Sequence, residues 1–378
     1  MIYRSFKEIK LSALGFGTMR LPLVEGSKTI DQEAVQTMTD LAMAAGVNYY
    51  DTAWPYHDGN SETSIAKALA KYPRDSYYIA DKYPGHQLAE TYDPADIFEK
   101  QLVKLGTDHI DFYLLHNVYE KSYEVYNDPQ WGIMDYFIEQ RRLGRIRHLG
   151  FSCHAEIPTL TAFLDRYGDE MEFCQIQLNY LDWTLQNAKA KYELLTSRGI
   201  PVWVMEPLRG GLLARQQDAT VAQAFRWLQS LPNVTVVLSG MSSVAQMEDN
   251  LKTFESESPI SEADVNSLMA VAEKLKDSIP CTACRYCCSQ CPMGLDIPRL
   301  IASYNDLRVM TSLAPLMMVE SLPEDKRPSA CLGCGACAQM CPQKIDIPSA
   351  MADFASRLAK LPSWEQTCRE RAAAQKKA

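Results

Sequence analysis

Eight short apolar runs recur near residues 13–17, 47–51, 77–82, 110–116, 146–152, 172–179, 200–206 and 233–239, with helix-length stretches between them. No other feature restricts the fold as much. Strands alternating with amphipathic helices build βαβ units and a parallel sheet, because parallel neighbours need a crossover connection. Crossovers are right-handed, and eight units in series close as a TIM-type (β/α)8 barrel, so the fold class is α/β. A doubly wound open sheet is the alternative. It lacks its usual mark, since Gly15-Phe16-Gly17 has no third glycine to complete G-x-G-x-x-G.

Local signals agree with this alternation. Residues 3–12 alternate polar and apolar as a short hairpin ahead of the first barrel strand. Across 29–46, Ile30, Ala34, Val35, Met38, Leu41 and Ala42 are helically spaced between Asp31 and a Gly46 stop. Helices are also expected over 93–105, with Asp93 as N-cap and Pro94 at the first position, over 131–143 and over 221–229. Ser261 and Asp264 open another over 265–276, and Ser278-Ile279-Pro280 marks a boundary.

Three of the runs end in groups that can do chemistry. Asp51 ends the second, and Tyr56 follows it across a Trp54-Pro55 turn. Lys82 ends the third, and His116 ends the fourth. In a parallel barrel the strand C-termini converge on one mouth, where loops are free to vary, so Asp51, Tyr56, Lys82 and His116 are expected to meet there. Any one of them alone is more often an ordinary rim residue. Four in order favour catalysis.

With Leu14-Gly15-Phe16-Gly17-Thr18-Met19, Gly150-Phe151-Ser152, Gln175 and Ser239-Gly240 leading to Asn250, this set resembles the aldo-keto reductases across roughly the first three quarters of the chain. The resemblance implies hydride transfer between NAD(P)H and a carbonyl or alcohol. It makes Tyr56 the general acid/base, with Lys82 as the ammonium that lowers a phenol pKa of about 10. Asp51 would hold Lys82, and His116 would orient the substrate oxygen. It also implies a cofactor groove, opening at Gly17, Thr18 and Met19. Ser152 and Gln175 would lie near the carboxamide, Leu208, Arg209, Gly210 and Gly211 near the pyrophosphate, and Gly240, Ser242, Gln246 and Asn250 near the adenosine. Two positions depart from the pattern. Met205 stands where an aromatic commonly stacks on the nicotinamide, and Cys153 replaces the Asn that usually follows Ser152. The stretch 240–246 holds no Lys or Arg, so Arg209 is the candidate for a 2′-phosphate, and the choice between NADPH and NADH stays open. A flavin has no supporting motif. Trp54, Tyr83, Tyr119 and Trp183 are candidate walls of a substrate pocket, or equally side chains that pack the barrel rim.

Composition changes abruptly at residue 281. Cys281-x2-Cys284-x2-Cys287-x3-Cys291-Pro292 recurs as Cys331-x2-Cys334-x2-Cys337-x3-Cys341-Pro342, every cysteine 50 residues after its counterpart, and Asp296-Ile297-Pro298 recurs as Asp346-Ile347-Pro348. This is an internal duplication. Each run resembles those of bacterial two-cluster ferredoxins. By that resemblance one [4Fe-4S] cluster takes Cys281, Cys284, Cys287 and Cys341, and the other takes Cys331, Cys334, Cys337 and Cys291. Zinc is the alternative, because thiolate quartets also bind it, but zinc sites pair C-x-x-C units and have no use for a triplet followed by Cys-Pro. Between the runs, Leu300, Ile301, Tyr304, Leu307, Val309 and Met310 show partly helical spacing, so a mainly α-helical dicluster ferredoxin-like domain is expected. The expected organisation is a barrel over 1–277, the ferredoxin-like domain over 278–360 and a helical or flexible tail over 361–378. Cys153, Cys174, Cys288 and Cys368 fall outside the cluster pattern, and Cys174 reads as a small core residue.

The net charge of -9 speaks against nucleic acid or an anionic membrane surface as partner. No apolar run approaches the roughly 20 residues of a membrane span, and residues 1–7 do not open a signal peptide. The expected location is therefore cytoplasmic, where twelve cysteines suit metal ligation better than disulfides. The leading reading is a reductase of small carbonyl compounds fused to an electron-carrying domain. A second is an electron-transfer enzyme whose clusters serve a flavin, the substrate, or a ferredoxin- or flavodoxin-like redox partner. A third is a non-catalytic redox or oxygen sensor, which would have no need of a proton donor.

Overall fold

The computed structural model describes residues 1–87, 89–211, 213–216, 218–276, 279, 281, 287–309, 313–341 and 345–375. Strands β1 (Tyr3–Phe6) and β2 (Ile9–Ser12) form an antiparallel hairpin. The next eight are β3 (Leu14–Gly17), β4 (Tyr49–Asp51), β5 (Tyr78–Tyr83), β6 (Ile110–Val118), β7 (Ile146–Cys153), β8 (Cys174–Gln177), β9 (Val202–Met205) and β10 (Val234–Gly240). All eight are parallel, and β10 pairs with β3 to close the barrel.

The helices between them begin where side chains satisfy free backbone N–H groups. Asp31 accepts from the Ala34 amide and opens helix Gln32–Ala44, while Asp93 accepts from Asp96 and opens Pro94–Leu105. Thr220 and Gln223 cap Val221–Gln229 reciprocally. The helices expected over 131–143 and 265–276 span Ile133–Arg142 and Glu262–Lys276.

Side chains alternate across a strand, so every second residue enters the barrel. At the hairpin end the interior is dry, with Tyr49, Ala80, Phe112, Phe173, Trp203 and Val236 packed together. Phe6 of the hairpin seals that end by meeting Trp203 and Phe112 at ring distances of 5.1 and 5.7 Å. Two residues further along the same strands, the inward positions turn polar, as Tyr49 gives way to Asp51, Ala80 to Lys82 and Phe173 to Gln175. Gly150 is required where β7 meets β8, since a Cβ there would sit 2.5 Å from the Phe173 ring.

A second hydrophobic core, separate from the barrel's, gathers Leu295, Ile297, Leu300, Ile301, Tyr304, Ile347, Met351 and Phe354 around the cysteine loops. The partly helical spacing between the cysteine runs resolves into two helices, Ile297–Val309 and Ala314–Glu320. Ile347–Leu358 follows the second run, and no strand occurs among the described residues of this region. Ion pairs join it to the barrel. Arg209 meets Asp306, Gln186 bonds Asp306 at 2.5 Å, and Arg299 reaches Glu120 at 3.3 Å. The tail forms a helix over Trp364–Gln375 that buries Trp364 and Cys368 against Tyr119 and Met317. No described helix is long and apolar enough to cross a membrane.

Candidate active site and cluster sites

Lys82 is fully buried at the inward end of β5, and its ammonium has three protons to place. They go to Asp51 Oδ1 at 2.5 Å, to the Thr52 carbonyl at 2.7 Å and toward the Tyr56 hydroxyl at 3.5 Å. Asp51 is fixed in turn. Its second carboxylate oxygen accepts from Gln175 at 3.3 Å, and its carbonyl accepts from Thr18 Oγ1 at 2.9 Å. Tyr56 opens a short 3-10 turn in which His57 and Asp58 take left-handed backbone, with φ of 51° and 54°, a strained geometry that sets the angle of the phenol. The His116 ring lies 5.9 Å from the Tyr56 ring, edge-on, and its carbonyl accepts from Tyr126 at 2.8 Å. The four strand-end residues therefore meet at one mouth.

Their electrostatics differ in one respect from the sequence expectation. Burial is the largest influence on Tyr56 and pushes its pKa up. Lys82 pulls it down, Asp51 pushes it up again, and the balance stays above the ordinary value. The phenol is thus held protonated, not acidified below its usual range. Burial likewise raises the Asp51 carboxyl, with Lys82 and Gln175 opposing. Burial pulls Lys82 down, but Asp51 and Tyr56 together outweigh it and keep the ammonium charged. Burial is also the main reason that His116 sits well below the usual imidazole range, with His86 and Lys82 adding to it, so the ring is neutral.

Around this core the expected cofactor positions separate into those the fold gathers and one it removes. Gly17 and Gly240 are register partners where β3 meets β10, and Asn250 bonds Ser239 at 2.9 Å behind them. Thr18 is buried, while Met19 is 54% exposed at the rim. Ser152 and Gln175 are partners on β7 and β8, and Met205 faces Gln177 across β8 and β9. Gln246 accepts from the Ser242 amide at 2.8 Å. Leu208 and Gly210 lie in the loop after β9, where Leu208 packs against the barrel's helical layer.

Arg209 is the exception. Its side chain is fully buried between Asp182 at 3.2 Å and Asp306 of the second region, so it is not placed as a free cation for a phosphate. Instead, Arg20 reaches the adenosine segment. Its stem lies 3.3 Å from where a Gly240 Cβ would be, its carbonyl accepts from Ser242 Oγ at 2.9 Å, and its guanidinium pairs with Glu206 at 2.5 Å. Barrel closure brings residue 20 to residue 240, which inspection of 240–246 alone misses. Asn117 is a second residue not anticipated. It has left-handed backbone with φ of 56°, donates its amide to Ser152 Oγ at 2.7 Å and leaves a buried Oδ1 without a partner.

The candidate wall aromatics have packing partners of their own. Tyr83 points outward, as its place after Lys82 requires, and packs on Phe137. Trp183 packs on Trp227, and Trp54 lies under the Lys104 ammonium at 3.8 Å. Tyr119 packs with Trp364 and Met317. Cys174 is buried in the core.

In the second region Cys291, Cys331, Cys334 and Cys337 line one cavity, together with Leu295, Ile297, Ile347 and Met351. Cys291 thus joins the later run across 40 residues of chain, as the exchanged pattern requires. A single zinc ion, bound at about 2.3 Å to each sulfur, would draw its thiolates into direct contact. Among the described residues, no three Cys, His, Asp or Glu side chains converge closely enough to hold one metal ion. Four thiols spread around a cavity suit a polynuclear cluster. Of the other quartet, Cys281, Cys287 and Cys341 belong to or pack against the same core, and Cys284 lies outside the described residues. Cys288 does not line the cavity.

A barrel with this mouth defines an oxidoreductase, and comparison with known proteins agrees. The aldo/keto reductase family model matches residues 13–223, and the 4Fe-4S dicluster domain model matches residues 280–345. The chain is 25% identical over 329 residues to the NADH-specific methylglyoxal reductase of Escherichia coli (strain K12), covering 71% of this chain and 97% of that protein. It is 25% identical over 288 residues to L-galactose dehydrogenase of Arabidopsis thaliana, covering 64% and 84%. An aldo-keto reductase of Mycobacterium sp. (strain KMS) is 31% identical over 245 residues, covering 61% and 82%. In fold, it resembles the holo form of an aldo-keto reductase from Bacillus halodurans, with a TM-score of 0.59 at 23% identity over 72% of this chain and 96% of that one. The chain belongs to the aldo-keto reductase family. It is an oxidoreductase that carries a 4Fe-4S dicluster domain at its C-terminal end.

Proposed function

We propose that the barrel reduces a small carbonyl compound at the expense of NAD(P)H, with Tyr56 as proton donor, and that the eight spaced cysteines hold two [4Fe-4S] clusters. One observation carries the first half. A buried ammonium whose other two protons are fixed by Asp51 and Thr52 has its third directed at a phenol. In that setting, as the phenol gives its proton to a developing alkoxide, Lys82 stabilises the phenolate left behind. His116, being neutral, donates a hydrogen bond to the same substrate oxygen and orients it. Gln175 and Thr18 hold Asp51, and so Lys82, in place.

A nicotinamide cofactor would supply the hydride. The residues fit such a group. Ser152, Gln175 and the unpartnered Asn117 carbonyl offer hydrogen bonds to a carboxamide, and the side-by-side Gly17 and Gly240 let a ligand approach the backbone. Arg20 replaces Arg209 as the cation that would meet a 2′-phosphate. The test uses anaerobically isolated protein with its iron and sulfide counted, NADPH or NADH, and a panel of aldehydes and ketones. Loss of reduced-nicotinamide absorbance that requires a carbonyl substrate is expected. Absence of turnover across the panel, despite tight nucleotide binding, would overturn the reading.

The exposed position of Cys334 favours a second reading, in which that cluster exchanges electrons with a ferredoxin- or flavodoxin-like partner. Dithionite-reduced protein that reduces a carbonyl without NAD(P)H would support it. No reduction under those conditions would exclude direct feeding by the clusters.

A further inference from the structure

β5 carries the Lys82 ammonium on its inward face, and on its outward face it carries a carboxyl, Asp81, that is just as deeply buried. Along a strand of a parallel sheet, the backbone N–H and C=O groups of alternate residues point toward the same neighbouring strand. Tyr78 and Ala80 direct theirs at β4, where Asn48 accepts the Tyr78 amide at 2.7 Å and Thr52 donates to the Ala80 carbonyl at 2.9 Å. β4 ends at Asp51, whose register partner is Ala80, so the backbone groups of Lys82 point the same way and meet no strand. Side chains take the strand's place. Asp81 Oδ1 accepts from the Lys82 amide at 2.8 Å, and Gln101 Nε2 donates to the Lys82 carbonyl at 3.1 Å. The Tyr113 hydroxyl donates to Gln101 Oε1 at 2.6 Å and so fixes which way that amide is turned.

Two helices extend this arrangement. Glu62, the second residue of helix Ser61–Leu69, follows closely on the turn that holds Tyr56 and is fully buried. Gln101 and Lys104 are i and i+3 on helix Pro94–Leu105 and share a face. Lys104 donates to Glu62 Oε2 at 2.7 Å and to the carbonyl of Gly59, the last residue of the Tyr56 turn, at 3.1 Å. A chain of polar side chains therefore runs outside the barrel from the backbone of Lys82, through Asp81, Glu62 and Lys104, to the turn that carries Tyr56.

Two atoms in this chain are unmatched. Asp81 Oδ2 and Glu62 Oε1 are both shut off from solvent, and neither finds a donor. The two carboxyls lie within hydrogen-bonding reach of each other, and an ionised carboxylate can only accept. Two bare acceptors facing one another in a dry site are costly, whereas one proton between them satisfies both. The electrostatics agree. Burial raises Asp81 well above the usual carboxylate range, and Glu62 adds to that rise. Burial raises Glu62 as well, with Lys104 opposing.

We propose that Glu62 and Asp81 share a single proton, and that this bridge, held by Gln101 and Lys104, aims Lys82 and Tyr56 at one another from outside the barrel. The reaction it serves is that of the reductase reading, on which this half of the proposal rests. All four are positioning residues, because they hold the backbone behind the catalytic side chains and not the reacting atoms.

Two tests need no turnover. An infrared difference spectrum of wild type against Asp81→Asn near neutral pH should show one protonated-carboxyl C=O stretch present only in the wild type. The amide introduced by that substitution donates to Glu62 directly and leaves it ionised. Hydrogen exchange at the Lys82 amide should quicken in Asp81→Ala, which removes its acceptor, and stay slow in Asp81→Asn. Steady-state kinetics then use the anaerobically prepared full chain, NADPH and an aldehyde that the wild type reduces. Asp81→Ala should lower kcat at least about tenfold with both KM values within about twofold, since a small misplacement at the reacting centre costs rate first. Asp81→Asn should recover most of that loss. Lys104→Met should lower kcat in the same way, through the Tyr56 turn. Absence of the infrared band would overturn the shared proton. Unchanged kcat in Asp81→Ala or Lys104→Met, or no recovery in Asp81→Asn, would overturn the positioning role. If Asp81→Ala does not fold, the infrared comparison and Lys104→Met decide the two halves. A wild type that shows the band but reduces no carbonyl would count against the reductase reading and support the shared proton.

Discussion

Replacing Tyr56 by phenylalanine removes a single oxygen. Within the fold that oxygen meets Lys82 at 3.5 Å, at the long limit of a hydrogen bond, so the variant should lose less than about 1 kcal/mol of stability. The reaction, by contrast, loses its proton donor. General acid catalysis contributes about 10²–10⁴-fold, which corresponds to about 3–5.5 kcal/mol of barrier at roughly 1.4 kcal/mol per tenfold. Tyr56→Phe should therefore lower kcat by at least about 100-fold with nicotinamide affinity and melting temperature nearly intact. Anaerobic single-turnover traces and fluorescence titration of the nucleotide measure the two separately. The pH profile is an independent check. Reduction needs the protonated phenol, and burial, only partly opposed by Lys82, holds Tyr56 above its ordinary value of about 10. The Tyr56-dependent rate should stay level from neutrality toward pH 10 and fall only beyond it. Lys82→Met removes the downward influence, so the plateau should be lower and its alkaline end later. A Tyr56→Phe enzyme that keeps more than about a tenth of kcat would refute the assignment of the acid.

Three further outcomes follow from other parts of the molecule. Cys291→Ala should remove the cluster cradled by Cys331, Cys334 and Cys337 and halve the iron and sulfide per chain, and unchanged iron would exclude the exchanged ligand set. Arg20→Ala should weaken NADPH by about tenfold or more and leave NADH nearly unchanged, since a charge-assisted hydrogen bond contributes about 1.5–3 kcal/mol, and equal losses in paired titrations would place this cation away from a 2′-phosphate. Asp306 is pushed up to about 7, by burial first, with Arg209 opposing and Asp182 adding to the rise, against about 3.9 in an unfolded chain. Its contribution to stability is therefore full below about pH 4 and lost as pH rises through about 7, so denaturant midpoints should fall more between those limits than in Asp306→Asn, and parallel curves would refute it.

The barrel was legible because two periodicities survive in the sequence. Apolar runs at strand length, capped helices between them and polar residues at strand ends are local properties, and parallel closure leaves almost no freedom in arranging them. Position within a strand was legible for the same reason, since Lys82 and Tyr83 must face opposite sides. Of the two roles open to Tyr83, that rule selects packing over pocket wall. Arg20 could have been found by taking closure seriously, because β10 pairing with β3 must carry residue 20 to residue 240. Arg209 could not have been placed, since its partner Asp306 is 97 residues away on a helix of another core. Trp364 was hidden similarly. The helix that carries it has no pronounced apolar face, and the feature that docks it is an indole N–H meeting the carbonyl of a residue 278 positions earlier. Long-range polar contacts leave no period in a sequence. The sign of the Tyr56 shift was missed because sequence shows the charge beside a group and not the depth at which both are buried.

The segment after β9 makes contact with both cores of the chain. Glu206 and Arg209 both adopt left-handed backbone, with φ of 53° and 49°, a conformation that non-glycine residues hold only where surrounding contacts enforce it. Those contacts are ion pairs. Glu206 is fixed by Arg20, and Arg209 by Asp182 of the barrel and Asp306 of the dicluster region. Two residues, Pro207 and Leu208, thus separate a carboxylate paired with Arg20 from a guanidinium shared between the two cores.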